Sequence, residues 1–354
     1  MGVKVSMQGP KTDITIGVDA HLDTHVAVAL DSEGRLLSTT SIPTTGDGYS
    51  QFVSWAAQLG DITQVGIEGT ATFGAGLARH LAGLGVHVID VDQPDRRLRR
   101  TRGKTDAIDA EIAARAVLNG SQRTIAKSAN GDVESLRTLR IARRSALKAR
   151  TQAANQIRSL LVTAPEELRS GLRSLSLDRL ITSASAWRHV APQTTTAATK
   201  LALRALARRY QALTAEITDL DRDIRVLTAR VAPELLALRG VGPDTAAALL
   251  IAAGDNPERL RSESSFAHLC GVAPLPVSSG KKRRHRLNRG GNRDANRALY
   301  TIVLGRMRLD ERTRAYVARR TAEGLSKRDI MRCLKRYVVR DVFRVLRGAS
   351  SPLA

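Results

Sequence analysis

The sequence predicts a mixed α/β domain near its N-terminal end and an all-helical remainder. Three observations predict this. Residues 13–125 alternate short apolar, β-branched runs with stretches of helical spacing. Residues 132–232 carry no strand signal, and residues 233–346 read as further helices broken by one very basic loop. These three segments are the expected domains.

In chain order, Ile14-Thr15-Ile16-Gly17-Val18-Asp19 reads as a first strand and His25-Val26-Ala27-Val28-Ala29-Leu30 as a second. Asp31-Ser32-Glu33-Gly34, ahead of Arg35-Leu36-Leu37-Ser38, has the composition of a hairpin turn. A helix is expected around Tyr49–Leu59, a buried strand at Val65-Gly66-Ile67-Glu68, a helix over Leu77–Leu84 and a strand over Val86–Val91. In the helical segment, Leu136, Leu139, Leu147, Ile157, Leu160 and Leu161 recur at helical spacing. Leu203, Leu206, Tyr210, Leu213, Ile217, Leu220, Ile224, Leu227 and Val231 then form a near-heptad stripe. A helical hairpin or coiled coil follows, with Pro165 and the Ser/Thr-rich stretch around Pro192 in the turn region. Such a stripe suits either a homo-oligomer, dimer or tetramer, or a plain bundle.

In the last segment, Leu238-Arg239-Gly240-Val241-Gly242-Pro243 joins two helical runs. Gly240 and Gly242 would let backbone N–H groups approach a phosphate, as in a helix-hairpin-helix, or would simply make a tight connection. The loop after it carries Lys281, Lys282, Arg283, Arg284, Arg286, Arg289 and Arg293 with no acid among them. Gly and Asn punctuation favours phosphate contact there over a merely solvated face. Helices at about 294–310 and 326–346 close the chain.

Charge names the partner class. Lys and Arg total 56 against 34 Asp and Glu, a formal net charge of +22 over 354 residues. Neutralising phosphates releases condensed counterions, so a nucleic acid is the natural partner of such a field. Cys270 and Cys333 are too few for a zinc ribbon or a disulfide framework. No apolar run reaches the length of a membrane span, and residues 1–12 lack a signal-peptide core. A cytoplasmic, nucleoid-associated protein without a membrane partner is expected.

The acids of the first segment stand where a metal site needs them. Asp19 and Glu68 each end a strand, after Gly-Val and Gly-Ile. Asp106 and Asp109 open a helix at a spacing that puts both carboxylates on one face. Hard oxygen ligands suit Mg²⁺ or Mn²⁺, and four carboxylates suffice for two ions about 4 Å apart, the arrangement of phosphodiester chemistry. Asp109 alone would equally favour a helix N-terminus electrostatically. His21 and His25 lie in a strand or turn, where a four-residue spacing makes no helical metal face, so neither is expected to bind metal. Asp23, Asp90, Asp92 and Glu111 are left outside the site.

At these residues the chain resembles the transposases of the insertion-sequence-110 type, a group that includes the Piv-like DNA invertases. The resemblance runs through nearly the whole chain. It rests on Gly17-Val18-Asp19, Ile67-Glu68-Gly69-Thr70, Gly85-Val86-His87-Val88 and Lys104-Thr105-Asp106-Ala107-Ile108-Asp109-Ala110, then on Leu238–Gly242, Cys270-Gly271-Val272-Ala273-Pro274 and Ser279-Gly280-Lys281. It departs at Gln93-Pro94, where Asn-Pro is frequent, and at Phe73, where Tyr is frequent. The resemblance implies a RuvC-like, ribonuclease-H-like domain whose Asp-Glu-Asp-Asp set is Asp19, Glu68, Asp106 and Asp109. It also implies a second catalytic element, a serine that becomes covalently linked to DNA, here Ser279 with Ser278 as the alternative. A structured bridge RNA from the same element, selecting donor and target DNA, completes the expectation. Two other readings fit the residues: a Holliday-junction resolvase or nuclease that uses water, and a non-catalytic nucleic-acid-binding protein.

Overall fold

A computed structural model of the chain describes residues 12–91, 105–256, 259–278 and 285–348. It divides into two compact units. One takes the chain up to residue 131 and then residues 253–266; the other takes 132–252 and 267 onward.

The first unit is built on one sheet: β1 (Asp13–Ala20), β2 (Thr24–Asp31), β3 (Leu36–Pro43), β4 (Asp61–Glu68) and β5 (Val88–Val91). Their order is β3-β2-β1-β4-β5, with the first three antiparallel and β4 and β5 parallel to β1. The β2–β3 turn is closed by Asp31, whose carboxylate accepts from the backbone N–H groups of Glu33 (2.9 Å) and Arg35 (2.8 Å). Gly34 takes φ +80° there, a conformation that costs glycine nothing. The third strand runs past the expected Ser38 to Pro43.

Alternation sorts the side chains onto two faces. Ile14, Ile16, Val18, Val65 and Ile67 share a core with Phe52 of α1 (Gly46–Leu59) and with Leu77 and Leu81 of α2 (Ala75–Gly83). On the opposite face lies α3 (Asp106–Leu118), whose Ala110 and Ala114 pack on Val28 and Leu30. Gly17 and Gly66, paired in the β1–β4 register, make this approach possible. A Cβ on Gly17 would fall 2.0 Å from the Ala110 carbonyl oxygen and 2.2 Å from the Ala114 nitrogen. One on Gly66 would fall 2.5 Å from a Val117 methyl. Backbone cannot yield as a flexible side chain does, so Gly17→Ala is expected to destabilise this unit by about 3 kcal/mol, the upper end for overpacking. Urea unfolding of the two chains measures it, and an unchanged midpoint would show that α3 is not seated as described.

The β5 edge is covered by residues 124–126: Asp90 donates its N–H to the Thr124 carbonyl, and Ala126 donates to Val88. The outward carbonyls of this run accept from the returning segment. Arg261 reaches Arg123 O (2.7 Å), Arg259 reaches Ile125 O (2.8 Å) and Asn256 reaches Ala126 O (2.9 Å).

In the second unit, α4 (Asp132–Thr163) and α7 (Thr195–Val231) lie along one another as a helical hairpin. Ile157, Leu203 and Ala207 are buried in its core, and Arg143 bridges the helices to Asp221 at 2.5 Å. The expected turn region holds two further helices, α5 (Glu166–Leu172) and α6 (Leu177–Ala186). Beyond it come α8 (Pro233–Ala237) and α9 (Pro243–Ala253), and after the segment that belongs to the first unit, α10 (Glu263–Leu269) leads back across the boundary at residue 266. A two-stranded hairpin of β6 (Leu275–Pro276) and β7 (His285–Arg286) follows. The chain then forms α11 (Arg293–Leu309), α12 (Glu311–Ala322) and α13 (Lys327–Leu346). α12, between the two expected closing helices, is a short polar helix whose Asp310 cap accepts from Thr313 N–H at 2.9 Å. No helix among the described residues is long and apolar enough to cross a membrane.

Candidate active site

Three of the acids, Asp19, Asp106 and Asp109, come together at the end of the sheet. Gly17 and Gly66 face α3, so residues two further along, Asp19 and Glu68, emerge on that same face at the C-terminal ends of neighbouring parallel strands. α3 runs back along β1, since Ala114 and Ala110 overlie Gly17. Its first turn therefore reaches the strand ends. Thr105 caps that turn, its hydroxyl accepting from Ile108 N–H at 3.3 Å. Asp106 and Asp109 both sit in the first turn, where the helix dipole favours negative charge.

Asp19 and Asp109 are buried, at 8% and 3% exposure. His21 joins them from the β1–β2 turn. Its Nε2 lies 3.2 Å from Asp19 Oδ2 and 3.5 Å from Asp106 Oδ1. The ligand atoms of Asp19, His21 and Asp106 all lie within 4.8 Å of one another. Burial raises the Asp19 pKa; the adjacent His21 opposes this, while the charges of Asp109 and then Asp106 add to it. A carboxylate held out of water among two others is a group that a cation would settle. Two carboxylates and an imidazole form a donor set that accepts a divalent metal. Glu68 stands one register position beyond the last β1–β4 pair, outside the three-residue cluster.

His21 is the residue the sequence reading set aside. Its spacing from His25 carried no signal, and the structure shows why: His25 is fully buried, stacked on Tyr49 at a centroid distance of 6.1 Å, whereas His21 turns to the acids. The acids left outside the site have other work. Glu111 pairs with Arg115 at 2.7 Å, and Asp90 accepts from the Thr70 hydroxyl at 2.5 Å on the sheet's far face.

Asp19 also predicts a linkage between metal and stability. A carboxyl raised above its unfolded pKa contributes stability below that unfolded value and loses it as pH climbs through the folded one. At neutral pH the ionised group therefore opposes folding. Asp19→Asn is expected to raise the metal-free unfolding midpoint of this unit by about 2 °C. Mg²⁺ or Mn²⁺ should raise the wild-type midpoint and leave the variant's unmoved. Calorimetry with and without metal decides, and equal metal responses would remove Asp19 from the ligand set.

The C-terminal candidates are placed in part. Ser279, Lys281, Lys282, Arg283 and Arg284 lie outside the described residues, as do Asp92, Gln93 and Pro94. Ser278, Arg286, Arg289 and Arg293 are exposed. Gly240 takes φ +82°, and a Cβ there would meet the Ile302 carbonyl at 3.0 Å, so close packing on α11 explains it. The Gly242 N–H donates to the Thr245 hydroxyl at 2.9 Å. Both glycines thus have local structural roles beside the phosphate contact expected of them.

A family model named for the DEDD transposases of IS110 matches residues 16–164, which contain all four acids. A second, described as "Transposase IS116/IS110/IS902 family", matches residues 232–318, which contain Ser279 and the basic loop. The chain belongs to the IS110-type transposase family. Relatives of this IS110-type chain include a "Probable family 20 transposase" of Pseudomonas aeruginosa, 31% identical over 58% of this chain and 60% of its own length. An "Insertion element IS110 uncharacterized 43.6 kDa protein" of Streptomyces coelicolor is 29% identical over 39% of this chain and 36% of its own. The "Insertion element IS900 uncharacterized 42 kDa protein" of Mycobacterium paratuberculosis is 31% identical over 47% and 42%. The matched stretches thus span between about a third and three fifths of these relatives.

Proposed function

We propose that this chain is a site-specific DNA transposase of an insertion sequence, cutting and rejoining strands through a protein–DNA ester. The observation that carries the proposal is the convergence of Asp19 with Asp106 and Asp109, in a chain that both family models match. The sheet unit is taken as RuvC-like, with Asp19, Glu68, Asp106 and Asp109 as its acid set. Asp19 and Asp106 would hold Mg²⁺ or Mn²⁺, with Asp109 and Glu68 beside them and His21 fixing their carboxylates. The metal supplies Lewis-acid polarisation of the phosphodiester and stabilises charge on the leaving oxygen.

The chain's own part is nucleophilic. The Ser279 hydroxyl attacks phosphorus, a phosphoserine ester forms as the P–O bond to one deoxyribose oxygen breaks, and that oxygen takes up a proton. A hydroxyl of the partner strand reverses the step, releasing the serine. One ester replaces another at each stage, so rejoining needs no outside energy source. Lys281 and the arginines through Arg293 would hold backbone phosphates, and Gly240–Gly242 would add a helix-hairpin-helix contact. The net charge of +22 accommodates donor and target DNA together with a structured bridge RNA. The near-heptad stripe from Leu203 to Val231 on α7 is what suggests homo-oligomerisation through the α4–α7 hairpin as a coiled coil.

The test combines purified protein, the element's end and target DNA, its non-coding RNA and Mg²⁺. Joined product and a protease-sensitive adduct are expected only with all components present. Free hydrolysed ends without joined product would replace this reading with a water-using nuclease.

A further inference from the structure

The β6–β7 hairpin and α13 enclose a pocket of about 540 Å³, whose α13 side the proposed chemistry leaves unused. Its position is set by sequence: the segment joining β6 to β7 is the one that carries Ser279. One wall is apolar, from Val272, Pro274 and Leu287. The other is a row of cations on α13, Arg332, Lys335, Arg336 and Arg340, continued by Arg286 on β7. Among the described residues Asp329 is the one acid lining it, and that carboxylate is engaged by Ser326 and Arg332.

Tyr337, on the same helix, also lines the pocket. The residue is 46% exposed, its ring met edge-on by Tyr316 at 5.6 Å, with the Arg340 guanidinium over it at 5.9 Å. An aromatic face and a guanidinium plane are the two surfaces on which unpaired bases stack. Lys335 is held in place by a 3.0 Å hydrogen bond to Asn296, and burial lowers its pKa, which marks a cation set into the wall rather than waving in solvent. The volume lies within the range of small-molecule sites and accommodates one nucleotide. A duplex would not enter it. A metabolite carboxylate would satisfy the cations but leave the ring and the apolar wall unused.

We infer that this pocket receives one unpaired nucleotide of a polynucleotide strand, its base against Tyr337 and Arg340 and its phosphate on the cationic row. On the reading of Ser279 given above, that nucleotide belongs to the strand being cut. The pocket makes recognition of a distorted or single-stranded position part of substrate choice. Nothing in this requires metal or the serine, so it stands or falls separately from the strand-transfer reading.

Equilibrium binding of fluorescein-labelled dT6, rU6 and a 30-base-pair duplex to the full chain in EDTA tests it. Tyr337→Leu is expected to weaken dT6 binding about tenfold, a loss typical of one stacked base, with duplex binding changed less than twofold. Tyr337→Phe should restore dT6 binding. Arg286→Gln, on the exposed hairpin, should weaken dT6 by about threefold and serves if Tyr337→Leu fails to fold. Tighter binding of rU6 than dT6, with the same sensitivity to Tyr337, would keep the pocket and assign its nucleotide to RNA. Wild-type dT6 affinity in both Tyr337→Leu and Arg286→Gln would overturn the inference. So would an equal loss of duplex binding. If the binding results hold while no strand is ever cut, the pocket survives and the transposase chemistry does not.

Discussion

Asp19→Asn is expected to slow DNA strand cleavage by about a thousandfold or more. If Asp19 holds metal as proposed, its loss forfeits several kcal/mol of stabilisation of transition-state charge, and about 1.4 kcal/mol corresponds to each factor of ten. The substitution keeps the shape of the side chain and removes an ionised group that burial and two neighbouring acids already oppose. The fold should therefore persist, and duplex binding should change less than twofold if the phosphate contacts lie, as proposed, in the C-terminal basic loop. Single-turnover cleavage with excess protein separates these quantities. A variant that cuts at the wild-type rate would remove the acid cluster from the chemistry. His21→Ala is a graded companion. If His21 only fixes the carboxylates of Asp19 and Asp106, from 3.2 and 3.5 Å, its loss should cost about tenfold, and raised Mg²⁺ should recover part of it.

Ser279→Ala is expected to abolish the covalent protein–DNA species altogether, while Ser278→Ala retains it. The readout is a band of retarded DNA on a denaturing gel that protease collapses. A serine hydroxyl is a weak nucleophile that water does not replace in kind: attack by water gives a free phosphate end with no ester left to exchange. Joined product should vanish together with the adduct. Should Ser279→Ala still cut without an adduct, as the wild type also does, water is the nucleophile. If Ser278→Ala alone loses the adduct, the nucleophile moves by one residue and the rest of the proposal is unaltered.

The parts of the site legible in the sequence are those that repeat a backbone geometry. Asp19 and Glu68 each follow a glycine by two residues, and in the structure those glycines face α3, so the pattern encodes which face the acids share. Asp106 and Asp109 were legible because a spacing of three puts side chains on one helical face, and Thr105 is a good cap. His21 was not, because it stands in a turn, where spacing carries no direction. β3 was read short because Ser38-Thr39-Thr40-Ser41 is polar on an edge strand, which has one covered face at most. The turn region hid α5 and α6 for a similar reason. Each is a short helix whose few buried leucines are too closely spaced along the chain to show a period. The return of residues 253–266 to the sheet unit had no signature either, since side chains grip backbone carbonyls there and hydrophobic periodicity plays no part.

That return imposes an order on synthesis. A ribosome completes β1 to α3 early, yet the arginines and asparagine that close off residues 123–126 arrive only after the whole helical hairpin has been made. At roughly 5–20 residues per second, the nascent sheet waits on the order of ten seconds with those carbonyls unclaimed. An open strand edge is where chains of the same kind pair wrongly, and polysomes hold many such chains close together. Expression yield should therefore respond to translation speed across residues 132–252, far along the chain from the sheet that waits on them.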